Sequence, residues 1–270
     1  MSFLRFSLFI LLVLTLSGCF LGEISNNEKN DLPLYADGVV WYSGFETGDL
    51  SEWSSVGGFI RQSGSDYYSI ISPHAHTGKY SLALRINTSI MSETGAHAAY
   101  MFFWEKLPAD EYYYSAWFYL PSDIKPGDWW IIWQWKSTYN GNSDDSKPIY
   151  VVGISEFQEQ FYVNLVYLPD QRDKITYIQY DKIVPKDQWF QLEAYYKKSE
   201  TETGQVVVWQ DGVELFNVTG FPTVLSDKTL YWSVNHYAEF IEPNPCTIYI
   251  DDVAISSKRL DVSYDYTILK

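Results

Sequence analysis

The stretch Gly204-Gln205-Val206-Val207-Val208-Trp209-Gln210-Asp211-Gly212-Val213-Glu214-Leu215-Phe216 (GQVVVWQDGVELF) decides the fold. Three consecutive valines and a tryptophan suit a pleated, half-buried strand, because branched and aromatic side chains pack well there. Asp211-Gly212 then separates VVVWQ from VELF. A two-residue Asp-Gly connection favours a hairpin, since the turn that matches strand twist needs positive φ at both positions. Outward from this hairpin, short aromatic or β-branched runs alternate with Gly, Pro, Asn and Asp clusters. The pattern predicts strands over 39–46, 67–72, 80–87, 97–104, 112–120, 129–136, 148–154, 161–167, 175–180, 188–197, 205–210, 230–237 and 247–255. Lys125-Pro126-Gly127-Asp128 marks a second turn, and Asn140 to Ser146 a long polar loop at the rim of a binding face. No segment keeps helical periodicity over three turns, and no internal repeat or second domain is visible. Many short strands with regular turns indicate an all-β sandwich or jelly roll.

The chain has 270 residues, enough for one large core, and 18% of them are aromatic. Tyrosine and tryptophan favour strands, and their faces also stack on sugar rings, so the excess fits a β fold and glycan binding alike. A formal charge of −15 with a pI near 4.6 excludes nucleic acid as a partner. The same charge opposes an anionic polysaccharide unless the binding surface is locally basic.

Residues 1–18 read as a signal peptide: Arg5 precedes an apolar run from Leu8 to Leu16, too short to span a bilayer. The run ends in Leu16-Ser17-Gly18-Cys19, which resembles the lipobox of bacterial lipoproteins. That resemblance implies cleavage before Cys19 and lipid attachment to its thiol, hence an extracytoplasmic, lipid-anchored protein of the cell envelope. Residues 19–38 read as the lipidated cysteine and a flexible tether, and 39–270 as the folded jelly-roll domain. Cys246 is then the lone remaining cysteine, so no intrachain disulfide is expected; it reads as a small buried hydrophobe.

Period-2 alternation in 129–136 puts Trp129, Ile131, Trp133 and Trp135 on one face. Trp130, Ile132, Gln134 and Lys136 fall on the other. The polar pair ending that second set marks either a groove or a strand end emerging into solvent. In Tyr231-Trp232-Ser233-Val234-Asn235-His236-Tyr237, alternation turns Tyr231, Ser233, Asn235 and Tyr237 toward a groove and His236 toward the core. His74 and His76, two residues apart beside Pro73 and Gly78, read as a loop rather than a zinc site. Glutamates Glu156, Glu159 and Glu193 are scattered, which argues against a two-carboxylate glycoside hydrolase.

Phe45-Glu46-Thr47-Gly48-Asp49-Leu50-Ser51-Glu52-Trp53 near the start and Tyr249-Ile250-Asp251-Asp252-Val253 near the end resemble the terminal strands of concanavalin A-like jelly rolls. In those folds the two strands are neighbours. The resemblance implies a structural Ca²⁺ held by Glu46 and Asp251, with Asp49 and Asp252 as further ligands; the other reading is that these are solvated strand-end acids. Together with Gln188-Trp189-Phe190-Gln191-Leu192 and the opening hairpin, the chain resembles jelly-roll polysaccharide lyases of the alginate, glucuronan and heparin lyase I type. The implied fold is a concanavalin A-like sandwich of two antiparallel sheets.

YWSVNHY is similar to the Y-F-K-A-G-x-Y strand of those lyases, which places Tyr237 at the catalytic position. Gln134-Trp135-Lys136 is similar to their Q-I-H, with Lys136 where the histidine stands. Ser81-Leu82-Ala83-Leu84-Arg85 keeps one arginine of R-S-E-x-R. Ser233 and Asn235 replace the family's Lys and Gly. The catalytic set implied is Tyr237, Gln134, Lys136 and Arg85, with His97 as an imidazole from another strand. Tyr231, Asn235, Trp130 and Tyr100 are expected to bind substrate. β-Elimination from a uronate needs a carboxylate neutraliser, a base and an acid. The expected partner is a polysaccharide, with membrane contact only through the anchor and the chain a monomer. The rival functions are a non-catalytic carbohydrate-binding module of the same fold and a structural envelope protein.

Overall fold

The computed structural model describes residues 38–62, 68–90, 97–104, 109–142, 145–169, 173–226 and 228–270. The signal peptide, Cys19 and the tether lie outside the described residues. Contacts divide the chain at Asp31/Leu32, and all described residues belong to the second unit. Among them, no helix is long and apolar enough to cross a membrane.

In chain order the strands are β1 (Val39–Ser43), β2 (Phe59–Gln62), β3 (Tyr68–Ser72), β4 (Ser81–Ile86), β5 (His97–Trp104) and β6 (Glu111–Tyr119). They continue as β7 (Lys125–Pro126), β8 (Trp130–Ser137), β9 (Lys147–Phe157), β10 (Gln160–Tyr167), β11 (Ile175–Val184) and β12 (Trp189–Lys197). The last are β13 (Gln205–Gln210), β14 (Val213–Thr219), β15 (Leu230–Ala238), β16 (Ile241–Glu242) and β17 (Cys246–Ser256). One four-residue helix, α1 (Ser51–Ser54), follows β1.

Two large antiparallel sheets face each other. The back sheet runs β14-β13-β12-β6-β17-β4-β3, with β1 also on β17; the front sheet runs β11-β10-β9-β8-β15-β5-β2. The fold is the jelly-roll sandwich expected. The first and last strands are neighbours, Trp41 lying opposite Ile255. The Asp-Gly hairpin joins β13 to β14, with Asp211 at φ 47° and Gly212 at φ 81°. The turn at Lys125-Pro126 is itself a short strand, β7, paired with β16.

The aromatic excess fills the space between the sheets. Trp41, Trp53, Trp130, Trp133, Trp135 and Trp232 are all essentially buried. Trp232 sits among them, 5.3 Å from Trp133, 6.2 Å from Trp53 and 5.0 Å from Tyr114 between ring centroids. Truncating such a ring to alanine costs about 3–5 kcal/mol through lost burial and the cavity left behind. On β15, Leu230, Trp232 and Val234 belong to this core. His236 is fully buried behind them and accepts a 3.1 Å hydrogen bond on Nδ1 from Trp130 Nε1. It points coreward, as alternation predicts, and burial pushes its pKa down to about 3, so it stays neutral.

Candidate functional site

The outer face of the front sheet is built by register. Tyr231, Ser233, Asn235 and Tyr237 of β15 lie opposite Trp104, Phe102, Tyr100 and Ala98 of β5. On the other side of β15, Lys136 lies opposite Tyr231, Gln134 opposite Ser233 and Ile131 opposite Tyr237. Directly opposed residues share a face, so Gln134, Lys136, Tyr100 and Tyr237 come to one surface. Beyond β5, β2 brings Phe59 opposite Phe102 and Arg61 opposite Tyr100.

One irregularity changes the reading of β8. The ladder to β15 skips between Val234 and Tyr237, and the ladder to β9 skips between Ile131 and Trp133. A bulge inserts one residue and flips the side-chain phase beyond it. Trp130 and Ile132 therefore point into the core before the bulge, and Trp133 and Trp135 after it. Uninterrupted alternation put Trp130 in the groove; it is 1% exposed and bonded to His236. Trp129 takes the outer position instead, its ring 4.7 Å from that of Tyr237 and its Nε1 donating to Glu239 Oε2 at 3.1 Å.

Other expected residues also move. Arg85 pairs with Tyr68 and Thr247 in the back sheet, and its neighbours Leu84 and Ile86 face the core. It lies on the outer face of the back sheet, away from Gln134, Lys136 and Tyr237. His97 opposes Ala238 and shares its face with the core residues Ala99 and Met101, so it is turned inward, and burial lowers its pKa. Tyr231 and Asn235 do lie on the front face by register, but they are 2% and 0% exposed and form its floor. The Tyr100 and Tyr237 rings, 5.3 Å apart, flank Asn235.

The electrostatics converge on β8, β5 and β2. Lys136 is largely buried with its ammonium 5.5 Å from the Phe102 ring centre. Burial, then the charges of Arg61 and Lys147, push its pKa down to about 8. The acidic chain thus carries Lys136 and Arg61 together on this face, with the Lys147 charge near the end of β9 acting on Lys136. Tyr100 donates a hydrogen bond to Tyr237; burial raises both pKa values, and this bond opposes the rise at Tyr237. Ser233 Oγ donates to Asn235 Oδ1 at 2.6 Å, while Asn235 Nδ2 has no partner among the described residues. An unmet buried donor costs roughly 1–3 kcal/mol. Further along, Asn164 donates from Nδ2 to Ser155 Oγ at 2.7 Å. Gly153 leaves room for that amide, since a Cβ there would come within 2.9 Å of Asn164 Oδ1.

Arg61 was missed because β2 is too short to show periodicity.

The four acids implied as calcium ligands divide. Asp49 is exposed and bonds locally to the Ser51 amide at 2.9 Å and to Thr47 Oγ1 at 3.1 Å. Glu46 accepts from the Lys79 and Tyr80 amides at 2.9 and 3.1 Å. Asp251 accepts from the His76, Thr77 and Asp252 amides. Asp252, fully buried, accepts from Tyr42 Oη at 2.6 Å and Thr77 Oγ1 at 2.8 Å, and its Oδ2 lies 2.8 Å from His76 Nδ1. Burial, then the neighbouring Asp252 charge, raise the Asp251 pKa. Lys270 Nζ stands 3.7 Å from both Glu46 Oε1 and Asp252 Oδ1. These carboxylate oxygens already hold protein donors and one ammonium, a set that does not fit a calcium cage. Among the described residues no group of three or more His, Cys, Asp or Glu is placed to hold a metal. The histidines belong to the same loop: His76 stacks on Trp117 at 3.7 Å, and His74 packs between Tyr119 and Tyr249.

A family model described as polysaccharide lyase matches residues 45–254. No curated protein sequence matches. Among solved structures, an endo-β-1,4-glucuronan lyase from the fungus Trichoderma reesei is similar at 17% identity and TM-score 0.65, covering 84% of this chain and 100% of its own. The marine alginate lyase from Aplysia kurodai is similar at 11% identity and TM-score 0.55, covering 82% and 99%. Another alginate lyase reaches 12% identity and TM-score 0.55, covering 86% and 96%. At these identities the likeness establishes the jelly-roll fold.

Proposed function

Because the chain belongs to the polysaccharide lyase family, we propose that the outer face of its front sheet cleaves a uronate-containing polysaccharide by β-elimination. The observation that supports this most is that Lys136 and Arg61 share one face with the hydrogen-bonded Tyr100–Tyr237 pair, Arg61 lying opposite Tyr100, on a chain of net charge −15. An anionic chain is attracted to that face and repelled elsewhere.

Arg61 and Gln134 hold the uronate carboxylate and take up the charge that grows on it as the C5 proton leaves. Lys136, with a pKa near 8, has a neutral amine available near neutral pH and accepts that proton. The electron pair of the C5–H bond forms the C4–C5 double bond, and the C4–O bond breaks. The departing glycosidic oxygen takes a proton from the Tyr237 hydroxyl, which recovers one from solvent. Tyr100 steadies the phenolate left on Tyr237 through the hydrogen bond it donates. The lipobox-like stretch ending in Cys19 supports extracytoplasmic lipid anchoring, so that the substrate is met in the cell envelope or beyond it.

Incubation with glucuronan, alginate and heparin, followed by ultraviolet absorbance of the unsaturated uronate, tests the chemistry. Product from at least one polymer, lost in Lys136→Met, is expected. Retention of that polymer in a native gel with no product from any of them would instead assign a carbohydrate-binding module. A Cys19→Ala chain that still partitions with membranes would sink the anchor.

A further inference from the structure

The back sheet carries a second aromatic surface, on the side of the sandwich away from the basic cluster. A hollow of about 400 Å³ crosses the outer face of β14, β13, β12 and β6. Register builds it: Asn217 lies opposite Val207, Val207 opposite Tyr195, and Tyr195 opposite Tyr113. Three strand spacings give this line a span of roughly 14 Å, long enough for a short run of sugar rings.

Each ring there is held in place before any ligand arrives. Tyr195 donates from its hydroxyl to Glu111 Oε2 at 2.6 Å. Trp209 carries the Arg259 guanidinium 4.4 Å from its ring centre, and Arg259 is fixed by a 2.8 Å bond to Glu193 and a 3.3 Å bond to the Gly212 carbonyl. The Tyr113 ring lies 6.4 Å from Trp209 and 5.1 Å from Tyr195. Gln205 donates to Asn217 Oδ1 at 2.9 Å, which orients both amides and leaves Asn217 Nδ2 at an exposed position. Rings locked by polar partners lose little freedom on binding.

Charge decides the ligand. Glu111 and Glu214 line the hollow, and the one basic group beside it, the Arg259 guanidinium on the Trp209 ring, is neutralised by its 2.8 Å pair with Glu193. An anionic chain is repelled here. Aromatic rings, two amides and acceptor carboxylates suit the apolar faces and hydroxyl donors of uncharged pyranoses. We propose that this face binds an uncharged polysaccharide chain, holding the protein on neutral glycan while the front sheet works on uronate. The site stands on its own geometry and does not depend on the chemistry assigned to the front sheet.

Affinity electrophoresis of the full chain in gels containing hydroxyethylcellulose, glucomannan or mixed-linkage β-glucan tests it, with alginate as the anionic control. Retardation by at least one neutral polymer is expected, weakened at least fivefold in both Trp209→Ala and Asn217→Ala. Asn217 is exposed, so its variant separates lost binding from lost folding, and the melting temperature of each variant is measured alongside. Product formation from soluble uronate polymers should be unchanged in Asn217→Ala. No retardation by any neutral polymer would overturn the proposal. So would retardation that survives both substitutions, or alginate retardation lost on Asn217→Ala.

Discussion

Two charged clusters, one on each sheet, show what separates a structural arrangement from a reactive one. On the back sheet, Asp251, Asp252 and Glu46 are surrounded by donors: five backbone amides, the Tyr42 and Thr77 hydroxyls, His76 and the Lys270 ammonium. Their charge is spent on pinning the 73–80 loop and the C-terminus to the sheet. On the front sheet, Lys136 has basic neighbours rather than an acidic partner, and its pKa falls to about 8. Further along the same face, between Tyr100 and Tyr237, Asn235 Nδ2 is unmet among the described residues. A cluster kept for folding is internally satisfied, whereas one kept for a ligand leaves its demands open.

Lys136→Met breaks the comparison most sharply. If the front cluster is kept for chemistry, product formation falls about 10³-fold, or ~4 kcal/mol of barrier. The melting temperature should hold or rise, because a strained buried cation is removed. The reverse substitution, Asp252→Ala, acts on stability alone. It leaves His76 and Lys270 without their buried carboxylate and costs about 3 kcal/mol in urea unfolding, with kcat unchanged in the folded fraction.

Acid sharpens the contrast next. Folded His236 stays neutral down to about 3, while the unfolded chain takes up a proton near 6.5. Between those values the unfolded state binds more protons, so this group's contribution to stability falls as pH drops below 6.5. By pH 5 the loss is about 2 kcal/mol, read as the difference in slope between the wild type and His236→Asn. The smallest effect belongs to Lys270→Met: the ammonium is 15% exposed but its contacts are long, at 3.7 Å, and Asp252 keeps Tyr42, Thr77 and His76, so the loss is about 1 kcal/mol in urea unfolding. If the chain's own ammonium serves those carboxylates, a chelator leaves the wild-type melting temperature unchanged. A large drop on chelation would instead place calcium there.

Much of this was legible in the sequence. The Asp211-Gly212 hairpin and the coreward turn of His236 follow from turn chemistry and period-2 alternation, and the adjacency of the first and last strands from the resemblance to concanavalin A-like jelly rolls. The His74–His76 segment reads correctly as a loop for the same reason. What the sequence hides is the bulge near Ile132, because two successive inward side chains look like ordinary alternation when every candidate is Trp or Ile. That one residue exchanges Trp130 for Trp129 on the outer face. Arg85 was misplaced because alternation assigns a face within a strand but not the sheet to which the strand belongs. Arg61 supplies the guanidinium from an edge strand of four residues, too short for a periodic signal.

The pH dependence of kcat/KM on a uronate polymer tests the front cluster most directly. The account predicts an ascending limb near pH 8, set by loss of the Lys136 proton, which moves upward in Arg61→Ala as one of the charges depressing that pKa is removed. A limb that stays fixed in Arg61→Ala, or activity that persists in Lys136→Met, would contradict it.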